Sequence, residues 1–447
     1  MDINYILELG VKAEENNKIK PSLYSKYDVK RGLRNENGTG VLVGLTEIGG
    51  VKGYIMDDNE RIPAEGTLHY RGIDINDLVN GFLSEDRFGF EECTYLLLFG
   101  SLPDKDELKR FTQLICDNRG LPNAFLEDMI LKAPSKDIMN KLARSILVLY
   151  SYDDNPDDIS VVNILKQSVE IVAKFTALMA YGYQAKSYHY LNRSLVIHTP
   201  DKTISTAENI LKMTRASGQY TDKEAKLLDL CLVLHAEHGG GNNSTFATHV
   251  VASSGTDIYS CISSAIGSLK GPRHGGANIK VNNMMKEIKA NINDFHDEAE
   301  IEKYIEKILN REAFDRTGLV YGIGHAVYTL SDPRAILLKE KARELASENG
   351  FIEEFELYEK VELLTPKVFA RVKNSDKAIA ANVDFYSGFV YNMLGIDEDL
   401  FTPLFATARV SGWCAHIIEE IINGGRIIRP AYKNVIEQTD YIPIAER

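Results

Sequence analysis

Two histidines of this 447-residue chain stand where glycines leave room for a ligand. His274 lies in GSLKGPRHGGAN (267–278) among Gly271, Pro272, Gly275 and Gly276, and His325 lies in YGIGHAVYTLSDPRA (321–335) behind Gly322 and Gly324. Either one alone reads equally well as an exposed imidazole in a turn between helices. As a pair they can divide proton donation from carbonyl polarisation, because imidazole is the side chain that exchanges a proton near neutrality. Asp384, in AANVDFYSGFVYNMLG (380–395), stands at an expected helix start, where an N-cap is the plain reading. Held among Val383, Phe385 and nearby aromatics it would be desolvated and more basic, as a general base requires.

Arg409 belongs to TPLFATARVSGWCAHIIEEIINGG (402–425) and lies four residues from both Phe405 and Trp413, on the stripe that should face the core. A buried guanidinium needs an anion. One of the chain's own carboxylates can supply it, or a ligand carboxylate gripped by two parallel donors. His235 and His238, followed by His249, raise the question of a metal. HAEH spaces its histidines i and i+3 rather than the i and i+4 of zinc proteases, with no cysteine or obvious carboxylate ligand near. Polar histidines at a helix end facing a cleft fit the pattern better, and no GxxxxGK[ST] phosphate loop occurs.

Helices must position these groups. In KEAKLLDLCLVLHAEH (223–238), Leu227, Leu228, Cys231, Leu234 and His235 recur at steps of three and four, and GGGNN follows as a stop. The segment from Thr402 has a cap residue, Pro403 at the first helical position, and Gly424 and Gly425 at its close. A third helix is expected from Asp332-Pro333 to Gly350. Alternation appears only in VLVGLTEI (41–48) and TLHYRGI (67–73), which predict a small sheet. The class is therefore mostly α with minor β near the N-terminus.

Composition narrows the function. Hydrophobic residues at 44% and charged residues at 26% are ordinary globular values. A net charge of −13, with a pI near 5.4, argues against a broad nucleic-acid or anionic-membrane surface. TYLLLFG and SILVLY fall far short of the roughly 18 apolar residues of a membrane helix. Asp2, Glu8, Glu14 and Glu15 do not suit a secretory or transit leader. Cys93, Cys116, Cys231, Cys261 and Cys414 form no CxxC pair, so they are expected to be buried thiols in a reducing cytoplasm.

LHAEHGGGNNSTFATHVVASSG, SLKGPRHGGAN, GIGHAVYTLSDPRA, NVDFYSGFVYNMLG and LFATARVSGWCAHIIEE, in this order and spacing, closely resemble the citrate synthase family. The likeness runs from EGTLHYRGIDINDL (65–78) to RIIRPAYKN. It implies a helical homodimer whose large domain, 1–276 and 387–447, carries an inserted small domain, 277–386, that closes over substrate. The implied reaction joins the methyl carbon of acetyl-CoA to the ketone of oxaloacetate and hydrolyses the thioester, with no metal and no redox cofactor. By the same resemblance Asp384 is the base, His274 donates to the thioester oxygen, and His325 polarises and protonates the ketone. His238, Arg334 and Arg409 would hold the oxaloacetate carboxylates, with Arg429 reaching in from the partner subunit. Lys377 is the matching cation for CoA, since Ala326 and Thr329 replace the cations of GHRVYK in many relatives, and Ala381 stands where relatives carry proline before NVD. The same machinery serves 2-methylcitrate synthase, which takes propionyl-CoA, and one methylene discriminates by only about 1–3 kcal/mol.

Overall fold

The structure, a computed structural model, describes residues 2–446 apart from Glu36, Asp58 and Asn59. Among the described residues the helices are α1 (Ile3–Asn16), α2 (Ser22–Lys26), α3 (Ile75–Ser84), α4 (Phe90–Phe99), α5 (Lys105–Asp117), α6 (Ile138–Leu149), α7 (Val161–Leu191), α8 (Thr206–Thr214) and α9 (Asp222–His235). They continue as α10 (Asn243–Ala252), α11 (Ile258–Lys270), α12 (Ala277–Asn291), α13 (Glu298–Leu309), α14 (Pro333–Asn349), α15 (Ile352–Lys373), α16 (Val383–Met393) and α17 (Phe401–Ile422). One antiparallel sheet, β1 (Gly49–Asp57), β2 (Glu60–Tyr70) and β3 (Ile73–Asp74), is the described β structure apart from isolated bridges.

The sheet corrects one expectation. β2 contains the start of 67–73, but its partner begins at Gly49, paired with Tyr70, and 41–48 is irregular. Leu42 and Leu45 are 84% and 91% exposed, so the alternation there has no sheet face to bury. The register shifts between Lys52 and Tyr54. A methyl on the intervening Gly53 would fall 2.6 Å from Tyr328 Cα, which shows how closely the hairpin backbone rests on the loop that carries His325.

α14 follows its sequence signals. Asp332 caps it by accepting from the Arg334 N–H (3.0 Å), Pro333 takes the first turn, and Gly350 closes it at φ +78°. α9 ends at His235 rather than running to 238, because the buried Tyr70 hydroxyl donates to the carbonyls of Val233 (3.0 Å) and Glu237 (3.1 Å) and turns the chain there. α17 starts at Phe401, fed by a 3₁₀ turn at Glu398–Leu400, so Thr402 is not the cap. Its hydroxyl instead donates to the Gly275 carbonyl (2.9 Å).

α17 is the axis of one packing group, buried against α4, α7, α9, α10 and α11. α12 to α16 form a second group, with α16 seated on α12 and α14, and α15 on α13 and α14. The chain passes between the groups at the 271–276 turn, and α16 runs unbroken through 386 and 387. The five cysteines are buried and unpaired, as expected. No helix among the described residues is long and apolar enough to cross a membrane.

Candidate active site

His274 sits in the turn between α11 and α12, held from two sides. The Ser244 backbone N–H, in the first turn of α10, donates to its Nε2 at 3.3 Å, and Ser244 Oγ lies 3.2 Å away. A backbone amide can only donate, so Nε2 carries the lone pair and Nδ1 carries the proton of the neutral ring. Burial, aided by Arg409, pushes the imidazole pKa down to about 4, so the ring is a neutral donor at physiological pH. Behind it, a methyl on Gly275 would run into the Leu269 carbonyl and lie 2.9 Å from Thr402 Cγ2. Gly275→Ala is therefore expected to destabilise the fold by about 1–3 kcal/mol and to depress activity by displacing His274, measured by urea unfolding and turnover. Wild-type stability would mean that the turn relaxes without strain.

His325 is oriented the opposite way. Its Nδ1 accepts from the N–H groups of Val327 (2.9 Å) and Tyr328 (3.1 Å), which leaves the proton on Nε2. Burial and then Arg334 lower its pKa to about 4. Asn382 joins this loop to the helix of Asp384. Its Oδ1 accepts from the Asp384 N–H (3.0 Å), capping α16, and its Nδ2 donates to the Gly324 carbonyl (2.9 Å). Gly322, at φ +79°, has no room for a methyl, which would meet Phe385 Cδ2 at 2.8 Å. The two segments also exchange Gly324 N–H to Ala380 O (2.7 Å) and Asn382 N–H to Gly322 O (2.9 Å). Neither bond uses the N–H of Ala381, so this position is compatible with the proline of relatives.

Asp384 itself is half-buried, and no described residue donates to its carboxylate. Burial raises its pKa to about 6, Arg334 and Arg409 draw it back, and Asp332 pushes it up. A carboxylate so placed is a stronger base than an exposed one and is still ionised at neutral pH.

The cations converge here. Arg334 is gripped by Asp332, Nε to Oδ1 at 3.0 Å and a terminal nitrogen to Oδ2 at 2.7 Å; the same Oδ2 accepts from Val383 N–H at 3.2 Å. Burial opposes its charge, and Asp332 overrides that and raises its pKa. Arg409 is fully buried. Its Nε donates to the His235 carbonyl (2.6 Å), its Cζ lies 4.7 Å from the centroid of the Phe405 ring, and both terminal nitrogens lack a partner among the described residues. Burial lowers its pKa to about 10, which still leaves it charged at neutral pH. The ring of His238 packs 5.2 Å from His325 and 5.5 Å from Tyr328, with Nε2 unpartnered among the described residues. His274, His325, Asp384, His238, Arg334 and Arg409 thus form one electrostatically linked site, two neutral N–H donors and a base beside two guanidiniums.

Two further predicted residues are exposed: Lys377 on the connection from α15 to α16, and Arg429 beyond α17. The histidines weighed as metal ligands are dispersed: His235 stacks on Phe405, and His249 packs on His416. No cluster among the described residues could hold a metal ion. Sequence reasoning missed Ser244, Asn382 and Asp332 as orienting groups, although Asp332 stood at the expected start of a helix.

Comparison with known proteins fixes the family. The family profile described as the citrate synthase C-terminal domain matches residues 37–431. The chain belongs to the citrate synthase family. A citrate synthase of Synechocystis sp. is 34% identical over 425 residues, covering 88% of this chain and 96% of the relative. The 2-methylcitrate synthase 1 of Corynebacterium glutamicum is 33% identical over 408 residues, covering 89% and 98%. The crystal structure of citrate synthase from Thermotoga maritima superposes with a TM-score of 0.72 at 32% identity, covering 94% and 99%. That of the Thermoplasma acidophilum enzyme, in ternary complex with carboxymethyl coenzyme A and oxaloacetate, gives 0.74 at 26% identity, covering 94% and 99%. The mostly helical citrate synthase fold with its small N-terminal sheet is thereby established for this chain, as is membership of an acyl-transferring enzyme family.

Proposed function

We propose that this enzyme condenses acetyl-CoA with oxaloacetate and hydrolyses the resulting thioester to citrate and CoA. The observation that carries the reading is Arg409: a fully buried guanidinium whose two terminal nitrogens find no partner among the described residues suits a ligand carboxylate, and Arg334 beside it provides the second charge a dianion needs. His238 completes the carboxylate contacts. Asp384 removes a methyl proton from acetyl-CoA while the Nδ1–H of His274 donates to the thioester oxygen, so the charge of the developing enolate meets a preorganised donor. The enol carbon then attacks the ketone carbon, and Nε2–H of His325 passes its proton to the ketone oxygen as the carbon–carbon bond forms. Water then cleaves the thioester, its oxygen going to the carbonyl carbon and CoA leaving as the thiol, while the proton held by Asp384 restores that lost by His325.

The same reading assigns closure to the helices of 277–386, which would shut water out once oxaloacetate is bound. It also assigns a homodimer in the cytoplasm. Arg429, exposed on the segment after α17 along with Tyr432 and Ile436, then enters the partner's site, and Lys377 meets the CoA phosphates. These assignments draw on the exposure of both residues and on the family likeness.

Free thiol release tests the proposal, with oxaloacetate and either acetyl-CoA or propionyl-CoA in separate reactions. Release that requires oxaloacetate and is much faster with acetyl-CoA is the expected result. A propionyl-CoA preference would make the protein a 2-methylcitrate synthase, the activity named for one 33%-identical relative. Silence with both from folded protein would sink the reading.

A further inference from the structure

One buried carboxylate has no task in this scheme. Glu237 lies between His235 and His238, is fully buried, and occupies a slot made by glycines from two distant elements. A methyl on Gly49, at the start of β1, would lie 2.6 Å from its Oε1, and one on Gly412, in α17, would lie 2.5 Å from its Oε2. Oε1 accepts from the Gly239 N–H and pairs at 3.0 Å with Nε2 of His416, which is also fully buried. The backbone of Glu237 is held from the opposite side: its N–H donates to the Tyr70 hydroxyl (3.3 Å) and its carbonyl accepts from it (3.1 Å). Burial works against ionisation of Glu237, yet His416, Arg409 and the Gly239 amide hold its carboxyl below the ordinary range. Burying a carboxylate is costly, so it is expected where a fixed geometry is needed.

The segment it fixes is 235–239. The His235 carbonyl takes the Nε–H of Arg409 (2.6 Å), which aims the guanidinium, and His238 presents its ring to His325. We propose that Glu237, partnered by His416, is a positioning residue for oxaloacetate: it locks 235–239 so that Arg409 and His238 meet the substrate carboxylates preorganised. The inference rests on the oxaloacetate reading above. Its action is on substrate binding, and the acid and base groups of Asp384, His274 and His325 are oriented by other contacts.

Trp413, the chain's only tryptophan, reports on the site, because it lies one turn from Arg409 and its Nε1–H donates to Ser244 Oγ (3.2 Å). Its fluorescence would be titrated with oxaloacetate in wild type, Glu237→Ala, Glu237→Gln and His416→Leu, and kcat measured at saturation, with melting curves to confirm folding. Glu237→Ala and His416→Leu are each expected to weaken oxaloacetate about tenfold or more while kcat changes by less than about threefold, and Glu237→Gln, which keeps the shape and acceptor oxygen, should stay within about threefold of wild type. Should Glu237→Ala not fold, His416→Leu decides. Unchanged affinity in an active protein, an equal fall in kcat, or a Gln variant as weak as the Ala variant would each overturn the positioning role and leave the reaction assignment standing. A wild type that neither binds oxaloacetate nor releases thiol would bring down the reaction assignment, and this inference with it.

Discussion

Replacing Asp384 with alanine is expected to lower turnover by about 10²–10⁴-fold while oxaloacetate affinity stays near wild type. Chemistry and substrate binding are carried by different groups. The carboxylate of Asp384 is free of hydrogen bonds from the described residues, so nothing in the fold depends on it as an acceptor; its N–H, which the cap of α16 does use, survives the substitution. The oxaloacetate clamp consists of other groups, Arg409, Arg334 and His238. Turnover by stopped-flow thiol release and binding by Trp413 fluorescence separate the two effects. A variant that turned over at the wild-type rate would remove Asp384 from the chemistry.

The same residue sets the expected acid limb. Asp384 must be ionised to act as base, and burial places its pKa at about 6. kcat/KM should therefore rise with pH through about 6, with the slope of a single proton, and level off near 7. His274 and His325 add nothing to this limb, since their pKa values of about 4 keep both rings neutral throughout it. Stability follows opposite signs. The raised pKa of Asp384 favours the folded state at low pH, and that contribution is lost as pH rises through about 6. The depressed histidines favour folding above their ordinary 6.5, and that contribution is lost as pH falls through about 4. An activity profile with its acid midpoint near 4 would exclude Asp384 as the group that limits it.

What could be read beforehand and what could not divides by range along the chain. His274 and His325 stood out because the glycines that make room for them are their immediate neighbours, and α14 announced itself through Asp332, Pro333 and Gly350 within one helix. Arg409 was legible as a charge on an apolar stripe. The groups that give each side chain its chemical state come from elsewhere: Ser244 is 30 residues from His274, Asn382 is 58 from Gly324, and Glu237 is 179 from His416. Such pairs leave no periodic or neighbouring trace in one sequence. The failed strand at 41–48 has the same origin, because alternation there met no partner strand. Thr402 looked like a cap because Pro403 follows it, but the 3₁₀ turn before Phe401 moved the helix start and gave the hydroxyl to Gly275.

Arg409→Leu is expected to weaken oxaloacetate binding by about 2–5 kcal/mol, roughly 30-fold to several thousand-fold, and to leave the unliganded protein no less stable than wild type. The two halves of the prediction share one cause. The guanidinium is fully buried and its terminal nitrogens find no partner among the described residues, so it carries a desolvation penalty that its bond to the His235 carbonyl and its place over the Phe405 ring only partly offset. Leucine removes that penalty and keeps the apolar contact with Phe405, at the expense of a small void and of the positive charge near Glu237. The arginine earns its place only when a carboxylate arrives. Oxaloacetate should accordingly raise the melting temperature of wild type and fail to do so for Arg409→Leu. If affinity were unchanged, Arg409 would be a structural arginine and the anion would have to be held by Arg334. If instead the unliganded variant melted far below wild type, the charge of Arg409 would be serving chiefly as the counterion that keeps Glu237 ionised in its slot.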